Sequence, residues 1–225
     1  MTPLAWPCPQ PGGGNADEFA LAFDKARSSR LLILPALFDE ANKMRRLTVE
    51  VMRRLDASGI DGFLPDMPGC NESAADLATV ALADWQRAAT AAAAHFGATH
   101  CLAIRGGELI APALPGWSYA PVRGAILLKG LLRARIIAGR ELGRDETQDG
   151  LLALGAREGL ELAGYTLSPA LIADLQAAVP AERPDTSIIA QDLLGGSPLW
   201  LRAEPDDDAA QADALAAIVA VGIRA

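Results

Sequence analysis

The chain has 225 residues, a formal net charge of −8 and a hydrophobic fraction of 51%, with only 5% aromatic residues. That length suits one sizeable α/β core. The acidic balance disfavours non-specific binding to nucleic acid or to an anionic membrane, which would call for a local basic face.

Residues 1–16 are rich in proline and glycine and read as a flexible N-terminal arm, leaving 17–225 as a single domain. Glu18 to Phe23 alternates enough to form an early strand. Leu31-Leu32-Ile33-Leu34-Pro35 is a continuous apolar run suited to a strand buried on both faces. A loop, Ala36 to Ala41, leads to a helix over 42–57 with Met44, Leu47, Val51 and Leu55 along one face. Ile60 to Pro65 is the next strand and Asp66-Met67-Pro68-Gly69 a turn. Ser73 then caps a long helical region reaching Gly97, and Thr99 to Ile104 forms a buried strand.

Beyond Arg105-Gly106-Gly107, Leu109 to Leu114 reads as a short helix and Val122 to Lys129 as a strand. The alternation of strands and helices implies a doubly wound, mostly parallel α/β sheet with right-handed crossovers. Leu131–Gly143 and Glu146–Ala163 are helical, a cap insertion over about residues 130–165. Ser168-Pro169 opens a helix to Val179. Ser187–Leu193 and Leu199–Ala203 are late strands, and Asp206-Asp207-Asp208 suits the positive end of a final helix reaching Val221.

Three widely spaced cysteines, Cys8, Cys70 and Cys101, fit a reducing, cytoplasmic setting better than a disulfide framework. No signal peptide is visible, and Ile126 to Leu132 is too short to span a bilayer, so no membrane insertion is expected.

Several ordered motifs resemble one family. Pro35-Ala36-Leu37-Phe38-Asp39-Glu40-Ala41-Asn42-Lys43-Met44-Arg45-Arg46 is similar to the P-P-F-x-E-E-x-N-K-x-R-R loop of the exosortase-A-system-associated hydrolase 2 proteins. Leu64-Pro65-Asp66-Met67-Pro68-Gly69-Cys70-Asn71-Glu72-Ser73 matches their L-P-D-x-x-G-C-G-D-S turn, with Asn71 in place of a glycine. Ile104-Arg105-Gly106-Gly107 stands at their L-R-x-G, and Ala163-Gly164-Tyr165-Thr166-Leu167-Ser168-Pro169-Ala170-Leu171 at their A-G-Y-x-L-S-P-A-L. Pro198-Leu199-Trp200 with Glu204 resembles their C-terminal P-F-W…E segment. The resemblance implies an α/β-hydrolase-like fold and a bacterial exopolysaccharide setting, with no demonstrated reaction. This chain is short between about Ala181 and Pro198, where a fuller member has another strand and helix.

The strand-to-turn junction sits where α/β-hydrolases carry G-x-S-x-G, the strained elbow that exposes a serine nucleophile. Here Arg105 takes the serine's place, and a guanidinium that stays protonated is no nucleophile. A serine triad also needs a histidine after the last strand, yet His95 and His100 both precede the elbow. Cys70 is the surviving nucleophile candidate, set against a plain structural role, because no histidine is placed to activate it.

Arg105 would project over the carboxyl edge of the sheet. There, with the Gly106 turn, the Leu37 or Phe38 amides and Asn42 and Lys43 nearby, it would form a pocket for a small anionic or acyl ligand. The alternative is that Arg105 pairs internally with Asp39, Glu40, Asp66 or Glu108. Arg133, Arg135 and Arg140 form a solvated helix face or a basic rim to that pocket. No cofactor or metal motif is present. Three functions follow: a non-catalytic accessory or binding protein, an ester or thioester hydrolase using Cys70, Asp66 or Glu40, or a structural homodimer joined at the shortened sheet edge.

Overall fold

The computed structural model describes residues 1–224. Seven strands form one sheet in the order β1 (Thr2–Pro9), β2 (Asn15–Phe23), β4 (Asp61–Pro65), β3 (Arg30–Leu34), β5 (His100–Ile104), β6 (Gly116–Tyr119) and β9 (Thr186–Ile189). The β1–β2 and β2–β4 pairs are antiparallel; every other pair in this sheet is parallel. β3 and β5 are central and almost wholly buried, as strands covered on both faces require.

Helices α2 (Leu82–His95), α3 (Gly124–Glu141) and α5 (Pro169–Ala177) pack on one face through Trp85, Leu127, Leu131 and Leu171. Helices α1 (Asp39–Ala57) and α7 (Ala209–Arg224) cover the other through Leu47, Val51, Leu215 and Val219. α1 presents the expected buried face of Met44, Leu47, Val51 and Leu55. The sheet is therefore doubly wound and mostly parallel, as the sequence implies.

Several expectations are corrected. Residues 1–16 are no loose arm: β1 pairs with β2 over eight residues and buries Trp6 and Cys8 completely. The turn glycines Gly13 and Gly14 adopt positive φ and close this hairpin. Ser73 does not start the long helix. Its hydroxyl accepts from the Gly69 amide and donates to Glu18, fastening the turn to β2. α2 starts at Leu82, where Asp84 accepts from the Ala81 amide and Asp174 from the Leu82 amide.

The strand expected at 122–129 is instead the first part of α3; Leu127, Leu128, Leu131 and Leu132 are buried at helical spacing. The true strand is the short aromatic segment Gly116-Trp117-Ser118-Tyr119. Gly116 is required there because a Cβ would lie 1.9 Å from the Cys101 carbonyl oxygen. The insertion between β6 and β9 holds α3, α4 (Gln148–Glu158), the β7 (Leu160–Leu162) and β8 (Tyr165–Leu167) hairpin, and α5. Residues 160–163, expected as helix, thus lie in a strand and its turn. The segment expected as a strand at 199–203 is a 3-10 turn, Leu199–Leu201, after a one-turn helix α6 (Gln191–Leu194). The sheet ends at β9, with Ile188 69% exposed on that edge.

Candidate functional site

The junction after β5 has an elbow's backbone with an arginine at its apex. Ile104 is still extended, and Arg105 turns to φ 53°, a left-handed conformation uncommon for a side chain of this size. Gly107 makes the tight reversal possible: a Cβ there would lie 2.6 Å from the backbone oxygens of Leu34 and Pro35. The segment that follows, Arg105–Ile110, is a six-residue 3-10 helix and not the α-helix start expected, so no extended helix dipole points at the site.

Arg105 is 8% exposed and largely committed. Its Nε and Nη2 donate to Glu40 Oε2 at 3.0 Å and Oε1 at 2.9 Å, a bidentate pair. Nη1 donates to the Ala120 carbonyl at 2.9 Å. The Trp200 ring lies over the guanidinium with its centroid 4.1 Å from Cζ. Of the four carboxylates considered as internal partners, Glu40 is the one that binds it. Glu40 sits in the first turn of α1, behind Phe38, whose φ 57° and ψ −136° bend the chain from loop into helix. Two of the guanidinium's five N–H groups have no partner among the described residues.

Arg105 is one of the residues lining a cleft of about 640 Å³ between the elbow loops, α3 and the 199–201 turn. Leu37, Leu127 and Leu131 line its apolar part, and Lys43, Lys129 and Arg133 join Arg105 as cations. Lys43 pairs with Asp39 at 2.7 Å. Lys129 and Arg133 have no carboxylate within salt-bridge distance among the described residues.

The remaining expected residues divide. Phe38 lines the cleft but is held between Trp85, 5.8 Å between ring centroids, and Tyr165, 5.4 Å and edge-on. Gly106 lies behind the leucines: a Cβ there would meet Leu127 at 2.7 Å and Leu37 at 3.1 Å. Asn42 lines a second, much smaller cavity of about 40 Å³, with Asp66, Cys70 and Tyr165. Asn42 and Cys70 are therefore brought together, apart from the cations of the cleft.

The chemistry of that second cavity is weak. Burial pushes the Cys70 thiol up to about 12, with the Asp66 and Glu18 carboxylates adding to the shift. Burial also raises the pKa of Asp66, which accepts from Asn71 Nδ2 at 2.6 Å. Asn71 holds φ 49°, a left-handed position that asparagine tolerates, so its replacement of a glycine leaves the turn intact.

His95 packs edge-on against Phe96 at the end of α2, and His100 opens β5 against Trp117, at the strand end opposite Arg105. The segment after the last strand, where a triad histidine would be needed, supplies Trp200 instead. Trp200 was visible in the sequence only as part of a motif, and nothing there announced its place over Arg105.

With this geometry in place, the chain belongs to a recognisable class: it has the α/β-hydrolase fold. No family model matches it, and no curated protein sequence does. Similar solved structures include a protein of Agrobacterium vitis S4 named as a hydrolase, 17% identical, with a TM-score of 0.54 over 78% of this chain and 71% of that one. Another is Est1E of Butyrivibrio proteoclasticus, solved with ferulic acid bound, 15% identical with a TM-score of 0.50 over 77% and 85%. A third is a DbjA deletion mutant, 13% identical with a TM-score of 0.53 over 98% of both chains. No helix among the described residues is long and apolar enough to cross a membrane.

Proposed function

We propose that this protein is a non-catalytic α/β-hydrolase-fold binder of a small acyl anion, with the head group at Arg105 and the chain along the leucine wall of the cleft. One observation carries the reading: the nucleophile's position holds an arginine that is locked by Glu40, keeps two N–H groups without a partner among the described residues, and lines a mostly apolar cleft. Lys129 and Arg133 add unpaired positive charge to the same walls. The motif resemblance supports a setting beside a bacterial exosortase and exopolysaccharide system, and the three unpaired cysteines fit a cytoplasmic one. Cys70 hydrolysis is disfavoured by its raised pKa, and Glu40 as a base by its bond to Arg105 through both oxygens.

Octanoate is the probe. At about ten times its dissociation constant it stabilises the native chain by about 1.4 kcal/mol, a rise in Tm of about 3–6 °C. Octanol does not, and Arg105→Ala abolishes the octanoate effect. Equal stabilisation of both proteins overturns the reading. So does turnover of p-nitrophenyl or thioester acyl substrates that disappears in Cys70→Ala. A second copy of the chain is the proposed partner, pairing along β9, because Ile188 leaves that edge apolar and open. A concentration-independent monomer in light scattering would end that part.

A further inference from the structure

The acidity of the chain is not evenly spread. Residues 123–144, which are α3 and its two flanks, carry Arg123, Lys129, Arg133, Arg135, Arg140 and Arg144 against the single acid Glu141. That local charge of +5 leaves −13 on the rest of the chain. Arg135 is tied to Glu146 at 2.7 Å; the other five have no carboxylate at salt-bridge distance among the described residues. The basic face that the net charge argues against is therefore present, concentrated on one helix.

That helix also exposes large apolar side chains on the same side. Ile126, Lys129, Arg133, Ile137 and Arg140 follow one another at spacings of three and four, so they form a single stripe. Ile126 is 57% and Ile137 49% exposed, although each could have been polar at no cost to the core. Leu201, 75% exposed, lines the same cleft as both isoleucines. The opposite side of α3, with Leu127, Leu128, Leu131 and Leu132, is buried. Lysine and arginine interleaved with exposed isoleucine, above an anchored apolar face, is the pattern of a helix that lies on a membrane surface. Acids do approach its C-terminal end, where Glu141, Asp145 and Glu146 follow; the stripe is cationic from Arg123 to Arg140.

We infer that the outer face of α3, with Leu201, is a docking surface for an anionic lipid bilayer, on which the protein adsorbs without spanning it. Charge complementarity selects the partner: the isoleucines fit an interface of head groups and acyl chains, and the unpaired cations fit anionic head groups. Adsorption in this orientation turns the mouth of the cleft toward the lipid. Ile126, Lys129, Arg133 and Ile137 also line the cleft, but adsorption through them does not require that the cleft be occupied.

Vesicle sedimentation with the full chain tests it. Vesicles of mixed phosphatidylcholine and phosphatidylglycerol pellet the protein, whereas phosphatidylcholine alone pellets far less. Near 1 M salt, where the Debye length falls to about 3 Å, pelleting on the mixed vesicles is lost. Each cation near the surface is worth about fivefold in partitioning, so Lys129→Gln, Arg133→Gln and Arg140→Gln together reduce it about a hundredfold. Ile126→Ser with Ile137→Ser weakens it with the charge intact. Arg53→Gln, on the far side of the sheet, leaves it unchanged, and circular dichroism checks that each variant is folded.

Arg105→Ala, a buried change, separates the two readings: it pellets like the parent chain while losing the octanoate effect. Equal pelleting on both kinds of vesicle, none on either, or undiminished pelleting of the triple variant overturns the inference. An acidic protein as the partner of this face would show itself as the second of these.

Discussion

The pair between Glu40 and Arg105 should behave as one unit, and a double-mutant cycle measures it. Glu40→Leu leaves the guanidinium 8% exposed with one carbonyl and one ring for company. Breaking a buried ion pair costs about 3–5 kcal/mol. Glu40 keeps 18% of its side-chain surface and Arg105 10%, so water relieves part of that and about 2–4 kcal/mol is expected. For a chain of this size the loss corresponds to a fall in Tm of about 4–16 °C. Arg105→Met costs a similar amount, part of it from the Ala120 bond and the Trp200 ring. The double variant loses both charges together and leaves none orphaned, so it is more stable than the sum of the singles by at least about 1.5 kcal/mol. Urea unfolding of the four proteins gives the coupling directly. A value below about 0.5 kcal/mol would mean that the two side chains do not depend on each other, and the locked elbow would have to be abandoned.

Four further outcomes follow from the packing. Trp6→Ala costs about 3–5 kcal/mol because the ring is fully buried, whereas a loose arm would give almost nothing in thermal unfolding. Gly107→Ala forces a Cβ against two backbone oxygens at 2.6 Å that cannot step aside, and lowers Tm by more than about 4 °C; an unchanged Tm would refute the tight elbow. At pH 8 iodoacetamide alkylates the half-buried Cys70 in the native chain about a hundredfold slower than in urea, because its thiol is pushed up to about 12; equal rates would refute that shift. Burial lowers the pKa of His100 below 6.5, so the folded state binds its proton less readily than the unfolded chain. The stability this gives is present above pH 6.5 and is lost as pH falls through the folded value. His100→Gln flattens that part of the stability profile, and an unaltered profile would assign the acid loss elsewhere.

The parallel centre of the sheet was legible because its strands are short apolar runs ended by Pro35, Pro65 and the glycine elbow, a pattern that local composition carries on its own. The edges were not. β1 contains three prolines and alternates across a face that only β2 and α2 define, so its Trp6 and Cys8 look like scattered residues until the hairpin closes. β6 is four residues long and lies beside a proline, while the first residues of α3 are apolar enough to imitate a strand. At the site, the elbow, the loss of the nucleophile and the misplacement of both histidines could be read directly. The choice of Glu40 among four carboxylates could not, because it depends on the bend at Phe38 that aims the first turn of α1 across the elbow.

Arg105, Glu40 and Trp200 make sense around the elbow only together. An arginine in place of the nucleophile brings a charge that a buried turn would reject on its own. Glu40 answers the charge, and its position in the first turn of α1 costs that helix nothing, since an acid is favoured there. Trp200, from the segment after the last strand, stacks on one face of the guanidinium. Glu40, the Ala120 carbonyl and Trp200 each supply something that Arg105 needs. Arg105→Ser alone would therefore not complete a triad: it would leave Glu40 without its cation, and both histidines precede the elbow in the chain. The fixed cation beside a mostly apolar cleft is the feature on which the proposed anion binding rests.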